Sequence, residues 1–254
     1  MKINEVFKIL NDYAPIELSN KFVEKVNGYD NSGIIVDTTD DIKGVLFTLD
    51  LTKNSIDLAI SNNCNLIFTH HPAIYGGISA LKNDDAILYA IKNNIAIISF
   101  HLNLDVAKNG IDYNLAKGLG GDMQEILIPL GNQVGYGRTF VVDKPLKEIV
   151  SLYKKEFSSN KVNVYGNLEE TIHKMATFCG AGLDESELDL ASDCDLFLSA
   201  DIKHHIIVKV LEKGKKLIEV THYSSEIYGF NKFYESIKDK LNVFSLINIE
   251  KDYL

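Results

Sequence analysis

Short apolar segments alternate with helical patterns in the first half of the chain, and this alternation most strongly constrains the fold. Residues 44–50, 66–69 and 95–100 are nearly continuous apolar runs, whereas residues 55–60 and 85–91 carry apolar side chains at helical spacing. Strands that are apolar on both faces are typical of parallel sheets covered by helices on both sides. The sequence therefore predicts a β-α-β-α-β unit in an α/β fold.

A glycine-rich break marks the predicted boundary between two lobes. Residues 118–121 contain three glycines and residues 129–131 read Pro-Leu-Gly, after which strand and helix patterns alternate again. A chain of 254 residues is long enough for two cores. We therefore predict two similar α/β lobes with sheets flanked by helices, the first formed by residues 1–125 and 230–254 and the second by residues 126–229.

A weak internal repeat supports two similar halves. Residues 58–69 resemble residues 190–199 when a one-residue gap is allowed, and either duplication or chance explains a similarity of this size. Duplication would place a cleft between the lobes, and clefts of this kind commonly hold binding sites.

Three predicted strands end directly before residues that can bind a metal ion: His70, His71, His101, Asp105, His222 and Glu226. Because His70 and His71 are consecutive, their side chains should diverge, which suits two neighbouring ions better than one. His222 and Glu226 are four residues apart and would share one face of a helix. A carboxylate can bind two cations, so Glu226 is the predicted bridge. We expect His101 to shuttle protons or to orient a ligand.

The predicted ligand set favours an open, catalytic centre. Imidazole with carboxylate suits Zn, Fe, Mn, Co or Ni better than Ca or Mg. Five protein ligands shared by two divalent ions leave coordination positions open, and the ions carry more charge than two carboxylates neutralise. Water on such ions can have a pKa of about 7, which favours hydrolysis of an anionic small molecule.

Structural explanations compete at several of these positions. A His-His pair at a strand end can simply be a hydrogen-bonded loop, but the combination with Asp105 and His222 favours a metal site. His204 and His205 could line the cleft, but Asp201 as the N-cap of a helix predicted over residues 202–213 explains this aspartate without chemistry. Residues 30–33 read as a turn. His173 is predicted to lie at the surface.

Bulk properties exclude several classes of partner. The formal charge of −9 disfavours a broad surface for nucleic acids, whose phosphates are contacted mostly by clustered Lys and Arg. Three widely spaced cysteines form no disulfide or zinc-thiolate pattern, which favours a reducing cytoplasm. Neither a signal peptide nor a transmembrane segment of about 20 apolar residues is recognised.

Seven short motifs occur in a characteristic order: Tyr-Ala-Pro at 13–15, Tyr-Asp-Asn-Ser-Gly at 29–33, Thr-Leu-Asp at 48–50, Thr-His-His-Pro at 69–72, His-Leu-Asn-Leu-Asp at 101–105, Asp-Ile-Lys-His-His at 201–205 and Thr-His-Tyr-Ser-Ser-Glu at 221–226. A chain with these motifs resembles the dinuclear-metal family named after NGG-one-interacting factor three, also called GTP cyclohydrolase I type 2 homologues. The resemblance covers nearly the whole chain. It implies that His71 and Asp105 bind one metal, that His70 and His222 bind the other, and that Glu226 bridges them.

The resemblance also implies a toroidal homohexamer of two-lobed subunits, with the sites facing an internal cavity, and this chain resembles the short form without an inserted domain. Tyr29 stands where tryptophan is common and Thr221 where glycine often precedes the metal histidine, so Thr221 could narrow the pocket. The family name implies attack of metal-activated water on C8 of GTP. The alternative is a non-enzymatic metal-binding scaffold or regulatory protein in a ring-shaped oligomer.

Overall fold

The computed structural model describes residues 1–249, which form two compact units. Unit 1 comprises Met1–Ala107 and the described chain from Phe230 onward, and unit 2 comprises Lys108–Gly229. The sequence prediction assigned residues 108–125 to the first lobe, whereas their contacts group them with unit 2. Residues 250–254 of the predicted first lobe lie outside the described residues.

The helices and strands follow in this order: α1 (Ile3–Tyr13), α2 (Ile16–Val26), β1 (Gly33–Val36), β2 (Gly44–Thr48), α3 (Lys53–Ser61), β3 (Leu66–Thr69), α4 (Ala86–Lys92), β4 (Ala96–Ser99), α5 (Leu102–Val106), α6 (Ile111–Gly118), β5 (Glu125–Gly131), β6 (Val134–Pro145), α7 (Leu146–Glu156), β7 (Val162–Tyr165), β8 (Thr171–Thr177), α8 (Glu185–Leu190), β9 (Leu196–Ala200), α9 (His204–Glu212), β10 (Lys216–Val220), α10 (His222–Ile237), a 3₁₀ turn (Lys238–Lys240) and β11 (Phe244–Ile247). None of the helices described within residues 1–249 is long and apolar enough to cross a membrane.

Unit 1 is built on a five-stranded sheet with the order β1-β4-β3-β2-β11. Strands β2, β3, β4 and β11 run parallel, and β1 is antiparallel to β4. Every residue of β2, β3 and β4 is buried, because their apolar runs pack on both faces of the sheet. The predicted β-α-β-α-β unit is confirmed as β2-α3-β3-α4-β4, and β11 belongs to unit 1, where it pairs with β2.

An aromatic core lies against one face of this sheet. The rings of Phe47, Phe68, Phe100, Phe230 and Phe233 are fully buried and contact one another, with centroids 5.1 Å apart for Phe47 and Phe68. Phe68 lies on β3 and Phe100 directly follows β4, and both strands lead into the histidine motifs. The aromatic core therefore holds the ends of β3 and β4 rigidly.

Unit 2 is built on a six-stranded mixed sheet with the order β5-β6-β8-β9-β10-β7. Strands β8, β9 and β10 run parallel at its centre, whereas β5, β6 and β7 pair in antiparallel fashion. Unit 1 therefore contains four neighbouring parallel strands and unit 2 contains three, and in each unit their carboxyl ends meet at one edge of the sheet. Such an edge is where open α/β sheets usually bind ligands.

Candidate metal centre

The first group of candidate residues lies at the carboxyl edge of β2, β3 and β4 in unit 1. The His70 N–H donates to the carbonyls of Thr48 and Leu49, and the His71 N–H donates to the carbonyl of Leu49. These bonds fix the turn after β3 against the end of β2. The His70 side chain is completely buried, whereas His71 is partly exposed.

The two consecutive histidines lie closer together than the sequence predicts. Their ring centroids are 5.0 Å apart with an interplanar angle of 44°. The expectation that the side chains diverge is therefore wrong. Because His70 is held by Phe100, the residue after β4, and His71 by Asp50 in the segment after β2, the two rings turn toward the same space.

His101 and Asp105 belong to the same group. The ring of His101 lies 5.3 Å from that of His70 between centroids, and Asp105 Oδ1 lies 3.4 Å from His70 Nε2. Asp105 is on the short helix α5 and only 4% exposed. His70, His101 and Asp105 each offer one ligand atom, and these atoms lie within 4.8 Å of one another.

The second group lies at the carboxyl edge of β8, β9 and β10 in unit 2. His222 is the first residue of α10, and its Nε2 lies 2.9 Å from Glu226 Oε1 one turn later. Glu226 is 2% exposed. The predicted arrangement of this pair on one helix face is confirmed. The hydroxyl of Thr221 accepts from the Ser224 N–H at 3.1 Å, which caps the start of the helix.

All four histidines of the two groups share one hydrogen-bonding pattern. The ring Nδ1 faces an oxygen atom in each case: the carbonyl of Phe100 for His70 at 2.9 Å, Asp50 for His71 at 2.7 Å, Asp30 for His101 at 2.9 Å, and Asp201 for His222 at 2.6 Å. Carbonyl and carboxylate oxygens accept, so Nδ1 carries a proton, and in the neutral imidazole Nε2 keeps its lone pair. Metal-binding histidines are oriented in this way.

The donor set fits a divalent transition metal. In unit 1, the Nε2 lone pair of His70 faces the carboxylate of Asp105, and in unit 2 that of His222 faces Glu226. A cation between nitrogen and oxygen would relieve the repulsion of these two electron-rich atoms. Imidazole combined with carboxylate is the ligand chemistry of zinc and of the first-row transition metals.

Several orienting residues escaped the sequence analysis. Asp50 follows β2 and Asp30 belongs to the predicted turn at 30–33, and both accept from histidine rings. Both residues lie in motifs of the family resemblance, at 48–50 for Asp50 and at 29–33 for Asp30, but neither was predicted to orient a histidine. The prediction of Asp201 as an N-cap is wrong: helix α9 begins at His204 with Lys203 at the cap position, and Asp201 instead binds His222.

Three other histidines lie on exposed surfaces. His204 and His205 occupy the exposed first turn of α9. His173 on β8 is exposed, as predicted, and its Nδ1 lies 2.8 Å from the exposed Asp143.

Burial raises the pKa of Asp30, but hydrogen bonds from His101, Ser19 and Ser32 outweigh this effect and hold its pKa below the usual 3.8. Asp30 is therefore ionised at neutral pH. An ionised Asp30 fixes the proton of His101 on Nδ1 and keeps Nε2 available as a base or ligand. The amide of His101 also donates to Ser32, which ties the residues 30–33 to this histidine.

Comparison with known proteins decides the family. The sequence model of the Duf34/NIF3 (NGG1p interacting factor 3) family matches residues 1–252. The chain belongs to this family. A Clostridium perfringens protein named GTP cyclohydrolase 1 type 2 homolog is 30% identical over 251 residues, which cover 95% of this chain and 93% of that protein. A protein of the same name from Methanocaldococcus jannaschii is 30% identical over 251 residues, covering 96% and 97%.

Two similar solved structures have the same fold as this chain. The structure of reduced HcgD from Methanocaldococcus jannaschii matches with a TM-score of 0.82 and 27% identity, and the match covers 97% of each chain. The Staphylococcus aureus protein SA1388 matches with a TM-score of 0.85 at 24% identity, covering 100% of this chain and 98% of that one. The resemblance predicted from the motifs is thereby confirmed, as is the two-sheet α/β fold.

Proposed function

We propose that this NIF3-family protein is a cytoplasmic, metal-dependent hydrolase whose centre holds two divalent ions. The proposed ligands are His70, His71, Asp105, His222 and Glu226, with Glu226 as the bridge. The two groups described above would each contribute part of this set. Bound ions would supply a water of lowered pKa and would polarise the atom under attack.

The observation that carries the proposal is the shared orientation of four histidines. Two of these rings, His70 and His222, direct Nε2 toward a carboxylate, Asp105 Oδ1 at 3.4 Å and Glu226 Oε1 at 2.9 Å, and a cation would hold nitrogen and oxygen together there. Nδ1 of all four rings is held by an oxygen acceptor, and three of the acceptors are aspartates. Orienting carboxylates are typical of metal sites because they fix the tautomer and increase the basicity of the ligand nitrogen.

His101 is the proposed proton carrier of the reaction. Its Nδ1 is occupied by Asp30, and its side chain is 21% exposed, whereas that of His70 is completely buried. Solvent therefore reaches the side chain of His101, whereas it does not reach that of His70. An imidazole paired with an ionised carboxylate can take up a proton during attack by water and return it to the leaving group.

The proposed substrate is an anionic small molecule, with a nucleotide such as GTP as the first choice. Two divalent ions would outweigh the charges of Asp105 and Glu226 and would attract an anion despite the acidic chain. The relatives from Clostridium perfringens and Methanocaldococcus jannaschii bear the name GTP cyclohydrolase 1 type 2 homolog. Hydrolytic opening of the guanine ring is the reaction which that name suggests.

Turnover of GTP by metal-loaded protein tests the proposal. We expect loss of GTP and formation of a ring-opened product with the wild type, and rates at the uncatalysed background with His71→Ala. His173→Ala is the matched control, because His173 also faces an aspartate through Nδ1 but lies on an exposed surface. Metal binding by the wild type without turnover of GTP or related nucleotides would contradict the hydrolase and favour the scaffold alternative.

A further inference from the structure

Gly180 lies directly against the two ligand atoms of unit 2. It follows β8 with a left-handed φ of +57°. A Cβ atom at this position would lie 2.7 Å from Glu226 Oε1 and 3.1 Å from His222 Nε2. Both distances are shorter than ordinary van der Waals contact, so no larger residue fits while these atoms keep their positions.

The peptide groups of Gly180 are clamped on both sides. Its N–H donates to Ser225 Oγ at 3.0 Å, and its carbonyl accepts from Ser199 Oγ at 2.9 Å and from the Ala200 N–H at 2.9 Å. Both serines are completely buried. Ser225 also donates to the carbonyl of His222 at 2.7 Å, which ties the Gly180 loop to the start of α10.

These hydrogen bonds decide whether the Gly180 backbone or the side chains of His222 and Glu226 would move if residue 180 were larger. A free loop would retreat from an added methyl group, but three hydrogen bonds and two buried serines hold this one in place. The backbone of Gly180 is also fully used by these bonds, so it has no N–H left to offer to a ligand. What Gly180 contributes is empty space next to His222 Nε2 and Glu226 Oε1.

We infer that Gly180 is a positioning residue of the metal centre: the absence of a side chain at this clamped position lets His222 and Glu226 direct Nε2 and Oε1 toward one ion. This inference rests on the proposed function. It assigns a role in metal binding to the segment between β8 and α8, which contains none of the predicted ligands. Gly180 acts through the two ligands and touches no substrate.

The first experiment compares alanine substitutions at two glycines of unit 2, both made in the full-length protein. Gly214 also has a left-handed φ, +70°, but a Cβ there would meet nothing within 4 Å. Alanine at either position imposes the same unfavourable backbone, and only Gly180→Ala fills the space beside the ligands. In titrations of metal-free protein with Zn²⁺ alone, we expect Gly180→Ala to bind at least tenfold more weakly than the wild type and Gly214→Ala within twofold of it. Equal affinities of the two variants would overturn the inference.

The second experiment needs no metal and therefore separates this inference from the proposed function. If the added methyl group collides with Glu226, removing that side chain should relieve the collision. We expect Gly180→Ala to lower the melting temperature of the metal-free protein at least twice as much in the wild-type background as in the Glu226→Ala background. Equal lowering, or loss of folding in both backgrounds, refutes the collision. If the effect of Gly180→Ala depends on Glu226 but the wild type binds no Zn²⁺, the contact between Gly180 and Glu226 would be supported and the proposed metal centre would be refuted.

Discussion

Asp201 illustrates how a residue outside the ligand set can control a ligand. It stands directly after β9 with a left-handed φ of +49°, a conformation that aspartate and asparagine tolerate better than most residues. In this conformation its carboxylate lies 2.6 Å from His222 Nδ1. The backbone geometry after β9 therefore fixes the tautomer of a histidine that follows the neighbouring strand.

We predict that Asp201→Asn weakens metal binding by about 10–100-fold, the usual loss when the partner of a ligand histidine is changed. Asparagine keeps the left-handed backbone but removes the charge that holds the proton on Nδ1. Asp143→Asn is the matched control, because Asp143 also has a left-handed φ, 45°, and faces the exposed His173. Calorimetric titration with Zn²⁺ measures the effect, and equal affinities of the two variants would show that Asp201 has no part in metal binding.

The lowered pKa of Asp30 leads to a second prediction, which concerns the stability of the fold at low pH. Burial favours its neutral form, but the bonds from His101, Ser19 and Ser32 outweigh burial, so its pKa in the folded protein lies below 3.8. A carboxylate with a lowered pKa stabilises the fold above pH 3.8 and loses this contribution as the pH falls through its folded-state pKa.

Between about pH 5 and pH 3, the melting temperature of the wild type should therefore fall more steeply than that of Asp30→Asn. The exposed Asp40 offers a comparison, and Asp40→Asn should keep the slope of the wild type. Scanning calorimetry across this range measures the slopes. Parallel slopes for the wild type and Asp30→Asn would mean that Asp30 does not carry the acid sensitivity.

At the scale of elements, the sequence predicts the buried strands well and the irregular ones poorly. Strand β3 has exactly the predicted bounds, because a continuous apolar run between polar turns leaves few alternatives. Strand β5 was missed because Pro129 and Gly131 were interpreted as a break. It is an edge strand with a register shift between these residues, and edge strands tolerate proline.

Helix α10 begins at His222, as the spacing of His222 and Glu226 predicts, although the site residues interrupt the apolar pattern of its first turns. Ser224, Ser225 and Glu226 are buried polar residues in the first turns of this helix, so apolar periodicity begins only near Phe230. The six candidate residues could be found because they lie directly after strands or on the first turns of the helices that follow them. Their orienting partners could not, because a contact such as that between Asp30 and His101 joins residues 71 positions apart.

At the scale of the whole chain, the candidate ligands of both units lie beyond the carboxyl ends of parallel strands. Strands β2, β3 and β4 in unit 1 and strands β8, β9 and β10 in unit 2 are parallel neighbours with polar residues at their carboxyl ends. The weak repeat in the sequence pairs the residues that lead into β3 with those that lead into β9, and both are the central strands of their triplets. This correspondence favours duplication over chance as the origin of the two halves.

The family resemblance leads us to propose that the subunits form a toroidal homohexamer. Light scattering after size-exclusion chromatography should then give a mass about six times that of the 28.4 kDa chain. For the proposed hydrolase, metal serves the reaction and not the assembly, so treatment with a chelator should leave the mass unchanged while it removes turnover. A chelator-dependent mass without turnover would favour the scaffold alternative, and a monomer in both conditions would exclude the ring.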